Sequence, residues 1–175
     1  MRAQRGVTLL ELMIVVLLLG IVLGLGVPGF RELVLNNRQA GAVNELITAL
    51  QLARSEAITR NVAAPAAVSV CPSNNGTGCA GNWSDGWVVF TDANADGNLA
   101  GDDQILRAVE APRGIDITGP AWVGFRRDGR RVLAGADFEF CDARGSAKAR
   151  VVQVGISGRP AASKVLSGGG SPECD

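Results

Sequence analysis

The sequence offers few groups that could carry out covalent chemistry. It has 175 residues with neither His nor Tyr, so the usual general base and the commonest zinc ligand are both missing. A serine nucleophile would need a lysine as its base. The only two lysines, Lys148 and Lys164, lie in polar stretches, and no nucleophile–base pair can be assembled, so no enzyme is expected. Three other features have spacing worth reading. The stretch Asp92-Ala93-Asn94-Ala95-Asp96-Gly97-Asn98 places oxygen ligands at alternate positions with Gly at the turn, as in the first half of a calcium loop. Asp103 stands at the twelfth position, where such a loop uses Glu, and the flanking segments read as strands. The competing reading is an Asp/Asn/Gly hairpin that binds nothing. Cys71, Cys79, Cys141 and Cys174 form the second feature. The third is Glu11, the single charge in a long apolar run.

The elements that position these groups start with that run. Leu12 to Phe30 contains nineteen residues and no ionisable group. At a helical rise of about 1.5 Å per residue it covers roughly 28 Å, close to the ~30 Å hydrocarbon core of a bilayer. The segment is therefore read as a membrane-spanning helix, in which a carboxylate such as Glu11 is costly and asks for a function. An ordinary secretory signal would have a shorter apolar core and a small-residue cleavage site after it; Gly24-Leu25-Gly26-Val27-Pro28 is a poor site of that kind. A plain signal anchor would not account for Glu11.

From Arg31 to about Asn61, apolar residues recur at three- and four-residue steps (Leu33, Val34, Val43, Leu46, Ile47, Leu50, Ala53, Ala57, Ile58). This predicts an amphipathic helix that continues the membrane helix and needs a partner for its stripe. After Pro65 the pattern changes to short β-like runs at Ala66–Cys71, Gly86–Thr91, Gln104–Glu110, Ile115–Thr118, Trp122–Arg127, Arg131–Leu133, Asp137–Cys141 and Arg150–Ser157. They are separated by Gly, Asn, Asp and Pro, with Asp128-Gly129 the clearest turn. Trp83 and Trp87 read as packing residues in preference to a binding face. The Gly/Ser-rich tail from Leu166 is expected to be flexible and held only through Cys174. Arg2 and Arg5 keep the N-terminus inside, so the cysteines lie in the oxidising periplasm and read as two disulfides. Of three pairings, Cys71–Cys79, closing a short Asn/Gly-rich loop, and Cys141–Cys174, tying down the tail, are preferred.

Gly6, Val7 and then Thr8-Leu9-Leu10-Glu11-Leu12-Met13, behind a short positive leader and ahead of a long apolar run ending near Pro28, resemble the class III signal of type IV prepilins and type II secretion pseudopilins. That resemblance implies that a membrane-bound prepilin peptidase cuts after Gly6 and methylates Val7, where the family usually has Phe. Removal of the leader leaves 15 basic residues against 17 acidic ones, a net charge of −2. Leu50-Gln51-Leu52-Ala53-Arg54-Ser55-Glu56-Ala57, Trp83-Ser84-Asp85-Gly86-Trp87-Val88-Val89-Phe90, the Asp-x-Asn-x-Asp-Gly loop and Gln104-Ile105-Leu106-Arg107 are similar to the GspH/FimT group of minor pilins and H-type pseudopilins. The fold class implied is α+β, with a long N-terminal helix packed on a C-terminal β-domain of two small antiparallel sheets. The organisation expected is a leader at 1–6, a transmembrane and assembly helix at 7–30, an amphipathic helix at 31–62 and a periplasmic β-rich domain at 63–175.

The function implied is that of a minor pilin in the assembly, priming or tip of a type IV pilus, held in the bacterial inner membrane. Its partners would be other pilins in a filament, with Glu11 of one subunit pairing with the N-terminal ammonium of the next. The alternatives are an H-type pseudopilin of a type II secretion system and a DNA-binding minor pilin for natural transformation. The last rests on charge and on a motif. Residues 82–120 hold seven acids against two arginines, and residues 121–175 hold nine basic residues against six acids. Some FimT-type proteins bind DNA through Gly-Arg-x-Arg. Here Gly158-Arg159-Pro160-Ala161 keeps the first Arg and replaces the second by Ala161, so Arg159 and Lys164 are the candidates, against a solvated surface balanced by neighbouring acids. No cofactor is required, and calcium at Asp92, Asn94, Asp96 and Asn98 is the only one suggested.

Overall fold

The computed structural model describes residues 6, 8–61, 65–110, 112–132 and 136–174. The chain divides into two compact units, residues 1–37 and 38–175. One helix, α1 (Leu9–Thr59), supplies residues to both. In the first unit its side chains make no core, and the large apolar residues from Leu9 to Phe30 are all exposed. A Cβ added at Gly20 or Gly24 would touch nothing in this chain. Pro28 sits inside the helix, where it removes the N–H that would otherwise bond the Gly24 carbonyl.

In the second unit α1 buries Gln39, Ala42, Val43, Leu46, Ala49, Leu50, Ala53 and Ala57. These are the three- and four-residue steps of one helix face, and four are alanines, which let the backbone of the sheets approach closely. The helix ends where Arg60 N–H bonds the Glu56 carbonyl and Asn61 N–H bonds the Ile58 carbonyl. Asn61 takes a φ of 48°, the left-handed stop that Asn tolerates better than most side chains.

Two four-stranded antiparallel sheets follow. The strands are β1 (Ala67–Pro72), β2 (Gly86–Asp92), β3 (Ile105–Glu110), β4 (Asp116–Thr118), β5 (Val123–Phe125), β6 (Asp137–Cys141), β7 (Arg150–Val154) and β8 (Pro160–Ser163). The first sheet has the order β3-β2-β1-β5 and the second β4-β6-β7-β8. In the first, Val70 lies opposite Val89 on β2 and opposite Val123 on β5. In the second, Phe138 pairs with Val152 and Phe140 with Arg150. One hydrophobic cluster joins the helix stripe to both sheets through Val68, Val70, Trp87, Val89, Phe125, Phe138, Phe140 and Val152. The run Trp-Val-Val-Phe of β2 is buried throughout because its other face is covered as well: Val88 and Phe90 join Cys71, Leu99 and Trp122 in a second cluster. A strand covered on both faces loses its polar alternation. Trp83 meets Phe138 edge-on at 4.8 Å and donates its indole N–H to the Pro120 carbonyl; both tryptophans are core residues.

Three expectations need correction, and one strand was not expected. Of the expected strand Arg131–Leu133, the described residues Arg131 and Val132 form no strand. Arg131 makes one antiparallel bridge to Phe125 and Val132 N–H bonds the Gly124 carbonyl, while Leu133 lies outside the described residues. β7 stops at Val154 and not at Ser157, because Gly155 to Gly158 close a turn with a 2.8 Å bond from Gly158 N–H to the Gly155 carbonyl. That turn leads into β8, an edge strand with the sequence Pro-Ala-Ala-Ser, which has no β-branched or aromatic residue to announce it. The tail is not held through Cys174 alone. Ser167 donates both its N–H and its hydroxyl to the Asp137 carboxylate, Glu173 N–H bonds the Glu139 carboxylate, and Pro172 is buried. Phe138 and Phe140 face the core, so Asp137 and Glu139 alternate to the outside of β6 and anchor the tail from there.

Candidate functional site

Gly6 is exposed, and a Cβ there would meet no other atom. Val7 lies outside the described residues. Thr8 immediately precedes the first residue of α1. Its hydroxyl accepts the Glu11 backbone N–H at 3.3 Å and its carbonyl accepts the Leu12 N–H at 3.2 Å. Thr8 is therefore the N-cap of α1, and Glu11 stands at the third helical position, the acidic site of a capping box. The Thr-x-x-Glu spacing carried this signal, and an acid in the first turn favours the helix start through the helix dipole. The described residues supply no ion pair to the Glu11 carboxylate. Past it, Leu12, Val16, Leu19 and Leu23 are each more than half exposed. An apolar surface of this size needs a lipid or protein partner.

The cysteines are joined as Cys71–Cys79, with an S–S distance of 2.04 Å, and Cys141–Cys174, at 1.97 Å. The first closes the loop after β1, where the Ser73 hydroxyl bonds the Gly78 carbonyl. The second ties the tail to the end of β6. Beside it Asp142, whose side chain is fully buried, accepts from both the backbone and the guanidinium of Arg144. The Arg144 guanidinium holds the Asp142 carboxyl below its ordinary 3.8 against the opposing effect of burial. A carboxylate depressed in the folded state contributes stability that is complete above its unfolded value and is lost as pH falls through the folded one. Asp142→Asn is thus expected to lower stability at pH 7 by about 1.5–3 kcal/mol, the usual worth of a charged hydrogen bond. The gap to wild type should close below pH 4, and thermal unfolding at pH 7 and pH 3 would show it.

The Asp92 loop satisfies itself. Asp92 is buried and accepts from the Ser69 hydroxyl at 2.7 Å and from the backbone N–H groups of Asp96 and Gly97. Asn98 N–H and the Asn94 amide bond the Asp96 carboxylate, and the first of these chiefly holds its carboxyl below the ordinary range. Asp103 accepts from Ala93 and Ala100 N–H. Trp122 lies so close to Gly97 that a Cβ there would fall 2.3 Å from the indole. The loop oxygens are directed at the loop's own donors, and the described residues hold no cluster of three or more acidic, His or Cys ligands arranged for a metal.

The basic candidates lie apart. Arg159 is exposed on the β7–β8 turn. It borders one cleft with Gln51, Arg54 and Ile58 of the helix and another with Arg131 and Gln153. Lys164 lines neither. What places Arg159 is Gly158, whose φ is 75° and whose added Cβ would fall 2.0 Å from the Gly129 carbonyl oxygen. Arg54 Nε donates to that same carbonyl at 3.0 Å. Glycine-to-glycine contact thus brings the arginine-rich 126–131 turn against Arg159, a meeting that the sequence spacing does not announce. Gln39 is a further residue that periodicity passed over. Buried on the helix face, it donates to the Phe140 carbonyl and accepts from Arg150; its signal is a polar side chain three residues before Ala42 on an apolar stripe.

Comparison with known proteins adds the family. The prokaryotic N-terminal methylation motif is matched over residues 1–27. No curated protein matches. Among solved structures, a crystal structure of the type IV minor pilin FimU of Pseudomonas aeruginosa is similar with a TM-score of 0.57 and 23% identity, covering 73% of this chain and 89% of that one. A second crystal form of the same protein gives 0.55 and 22%, covering 71% and 91%. At that identity the likeness shows a shared fold, a long N-terminal helix with a domain of two antiparallel sheets. The family described as type II transport protein GspH is matched over residues 42–158, well over half of the sequence, and the chain belongs to that family.

Proposed function

We propose that this chain is a minor pilin, anchored in the inner membrane by residues 7–30 with its β-domain in the periplasm, that enters a type IV pilus with other pilins. The observation that carries the reading is the exposed apolar helix that lies largely within the matched N-terminal methylation motif, on the fold of a minor pilin. Arg2 and Arg5 orient the segment. A prepilin peptidase cuts the Gly6–Val7 bond and methylates Val7. The new N-terminal ammonium of one subunit then meets Glu11 of its neighbour, while apolar contact along the helix supplies most of the assembly energy. In the test, the chain is co-expressed with a prepilin peptidase and its intact mass measured, and sheared surface filaments are probed for it. Loss of residues 1–6 and recovery in the filaments are expected. A chain that keeps its leader refutes processing. A processed chain absent from pili, in a strain whose deletion impairs protein export, moves it to the secretion-system alternative that its family description also fits.

The Asp92–Asn98 loop is read as a self-closing turn, supported by the hydrogen bonds that occupy its carboxylates. Millimolar calcium is expected to leave the melting temperature where a chelator leaves it. A rise with calcium, by mass action on the native state, would make the loop a cation site.

A further inference from the structure

The second sheet has one face on the core and one turned away from it. Phe138, Phe140, Val152 and Val154 belong to the core cluster, so their neighbours Asp137, Glu139, Cys141, Val151 and Gln153 point outward. Val151 stands between Glu139 on β6 and Ser163 on β8. It is nonetheless fully buried, and it belongs to neither core cluster. Residues 165–174 are fastened to this same face. The Val165 carbonyl accepts from the Gln153 amide at 2.7 Å, and Ser167 donates twice to Asp137. Glu173 N–H bonds Glu139, and Cys174 is joined to Cys141. These four anchors are the outward residues on either side of Val151. The segment is thus a strap across the outer face of β6 and β7, with Val151 beneath it.

The strap's hydrogen bonds lie at exposed positions, where each contributes little because water is the alternative partner. Against them stands the ordering of residues 165–174, which include Gly168, Gly169 and Gly170, the residue type that loses most freedom on being fixed. The hydrogen bonds set where the strap lies, and Cys141–Cys174 keeps it there. The other disulfide is placed differently. Cys71 and Cys79 both pack in the cluster of Val88 and Phe90. Around them Asn74 N–H bonds the Ala80 carbonyl and Ala80 N–H bonds the Pro72 carbonyl. Those bonds hold the two thiols together after reduction, whereas Cys174 departs with the strap.

We propose that residues 165–174 form a redox-operated strap, closed in the oxidised chain and released from β6 and β7 when a dithiol reduces Cys141–Cys174, with the rest of the domain still folded. One thiolate of the dithiol attacks Sγ of Cys174, the more exposed of the pair, and Cys141 leaves as a thiolate that takes up a proton. The second thiolate then displaces Cys174, so the reductant ends as a disulfide and its two electrons reside on the two protein thiols. Release uncovers Val151 between the carboxylates of Asp137 and Glu139. This chemistry does not depend on the assembly reading.

The test uses the full chain in detergent micelles, without denaturant, so failure of filament incorporation does not enter it. After treatment with graded dithiothreitol, free thiols are alkylated and mapped by peptide mass. Cys141 and Cys174 should be alkylated at about a tenth or less of the reductant concentration that opens Cys71–Cys79. Amide hydrogen exchange of residues 165–174 should then quicken by about tenfold or more, while β1, β2, β6 and β7 keep their protection. The double variant Cys141→Ser/Cys174→Ser should show the same quickened exchange without any reductant and with Cys71–Cys79 intact. The proposal is overturned if the two disulfides open at the same reductant concentration, or if residues 165–174 stay protected in the reduced chain or in the double variant. It is also overturned if protection is lost throughout β6 and β7, since the bond would then be holding the fold and not a strap.

Discussion

Glu11→Ala should leave the chain in the membrane and remove it from the filament. Insertion survives because the substitution makes an apolar run more apolar. On the proposed pairing, assembly fails because a subunit's N-terminal ammonium, brought into a bundle of apolar helices, then meets no carboxylate. Removing one partner of a buried pair costs about 3–5 kcal/mol, so incorporation should fall by about two orders of magnitude or more. The structure gives a rival account: Glu11 occupies the third position of a helix capped by Thr8, where it also supports the helix start. Glu11→Gln separates the two. Glutamine serves a capping box as well as glutamate does but carries no charge, so the pairing account has it excluded from filaments and the capping account has it accepted. Immunoblots of sheared filaments against membrane fractions read both variants. Normal incorporation of Glu11→Ala would show the charge to be dispensable.

Gly158→Ala should be among the most damaging single substitutions in the β-domain. At a φ of 75° any L side chain is strained, and the new Cβ would lie 2.0 Å from the Gly129 carbonyl oxygen. Strain alone costs about 1–2 kcal/mol. A backbone clash adds to it, because the turn carrying that oxygen is tied to Arg54 and cannot move without breaking the bond. A total of about 3–5 kcal/mol, in the range reserved for a named structural cause, should lower the melting temperature by about 10 °C or more. Gly145→Ala is the control, since Gly145 has a φ of 72° and nothing within 4 Å of its Cβ, leaving strain without the clash. Equal losses in the two variants would mean that the 126–130 turn gives way freely, and the glycine contact would then not be what positions Arg159.

Local patterns in this chain announce local structure. The stretch from Leu12 to Phe30 declares an apolar helix by composition alone, since hydrophobicity adds residue by residue and needs no partner in the same chain. The stripe from Ala42 to Ala57 declares its buried face through the 3.6-residue period. Asn61 marks the stop. Glycines, asparagines and aspartates separate most of the strands, and an α+β chain with one long helix and a β-rich second half was legible from these signs. β8 and the course of the tail were not. Pro160 to Ser163 becomes a strand because Val151 to Val154 offers it an edge, and the tail is ordered because Asp137 and Glu139 point outward beside it. Neither is a property of the segment itself.

The same division runs through the site. Glu11 stands out in sequence because a charge in an apolar run has no local justification except the cap that Thr8 provides. Arg131 does not stand out: it is one of four arginines at positions 126, 127, 130 and 131, and burial alone distinguishes it from its neighbours. Arg159 carried a motif, yet its place beside Arg131 depends on two glycines 29 residues apart whose backbones touch. The position of the apolar N-terminal helix, of its charge and of the core-facing helix stripe can be read from the residues alone, because each follows from one segment and the period of its backbone. Which arginine is withdrawn from water and which acids are occupied depends on the folded chain, because desolvation and hydrogen-bond partners are supplied by segments distant in sequence.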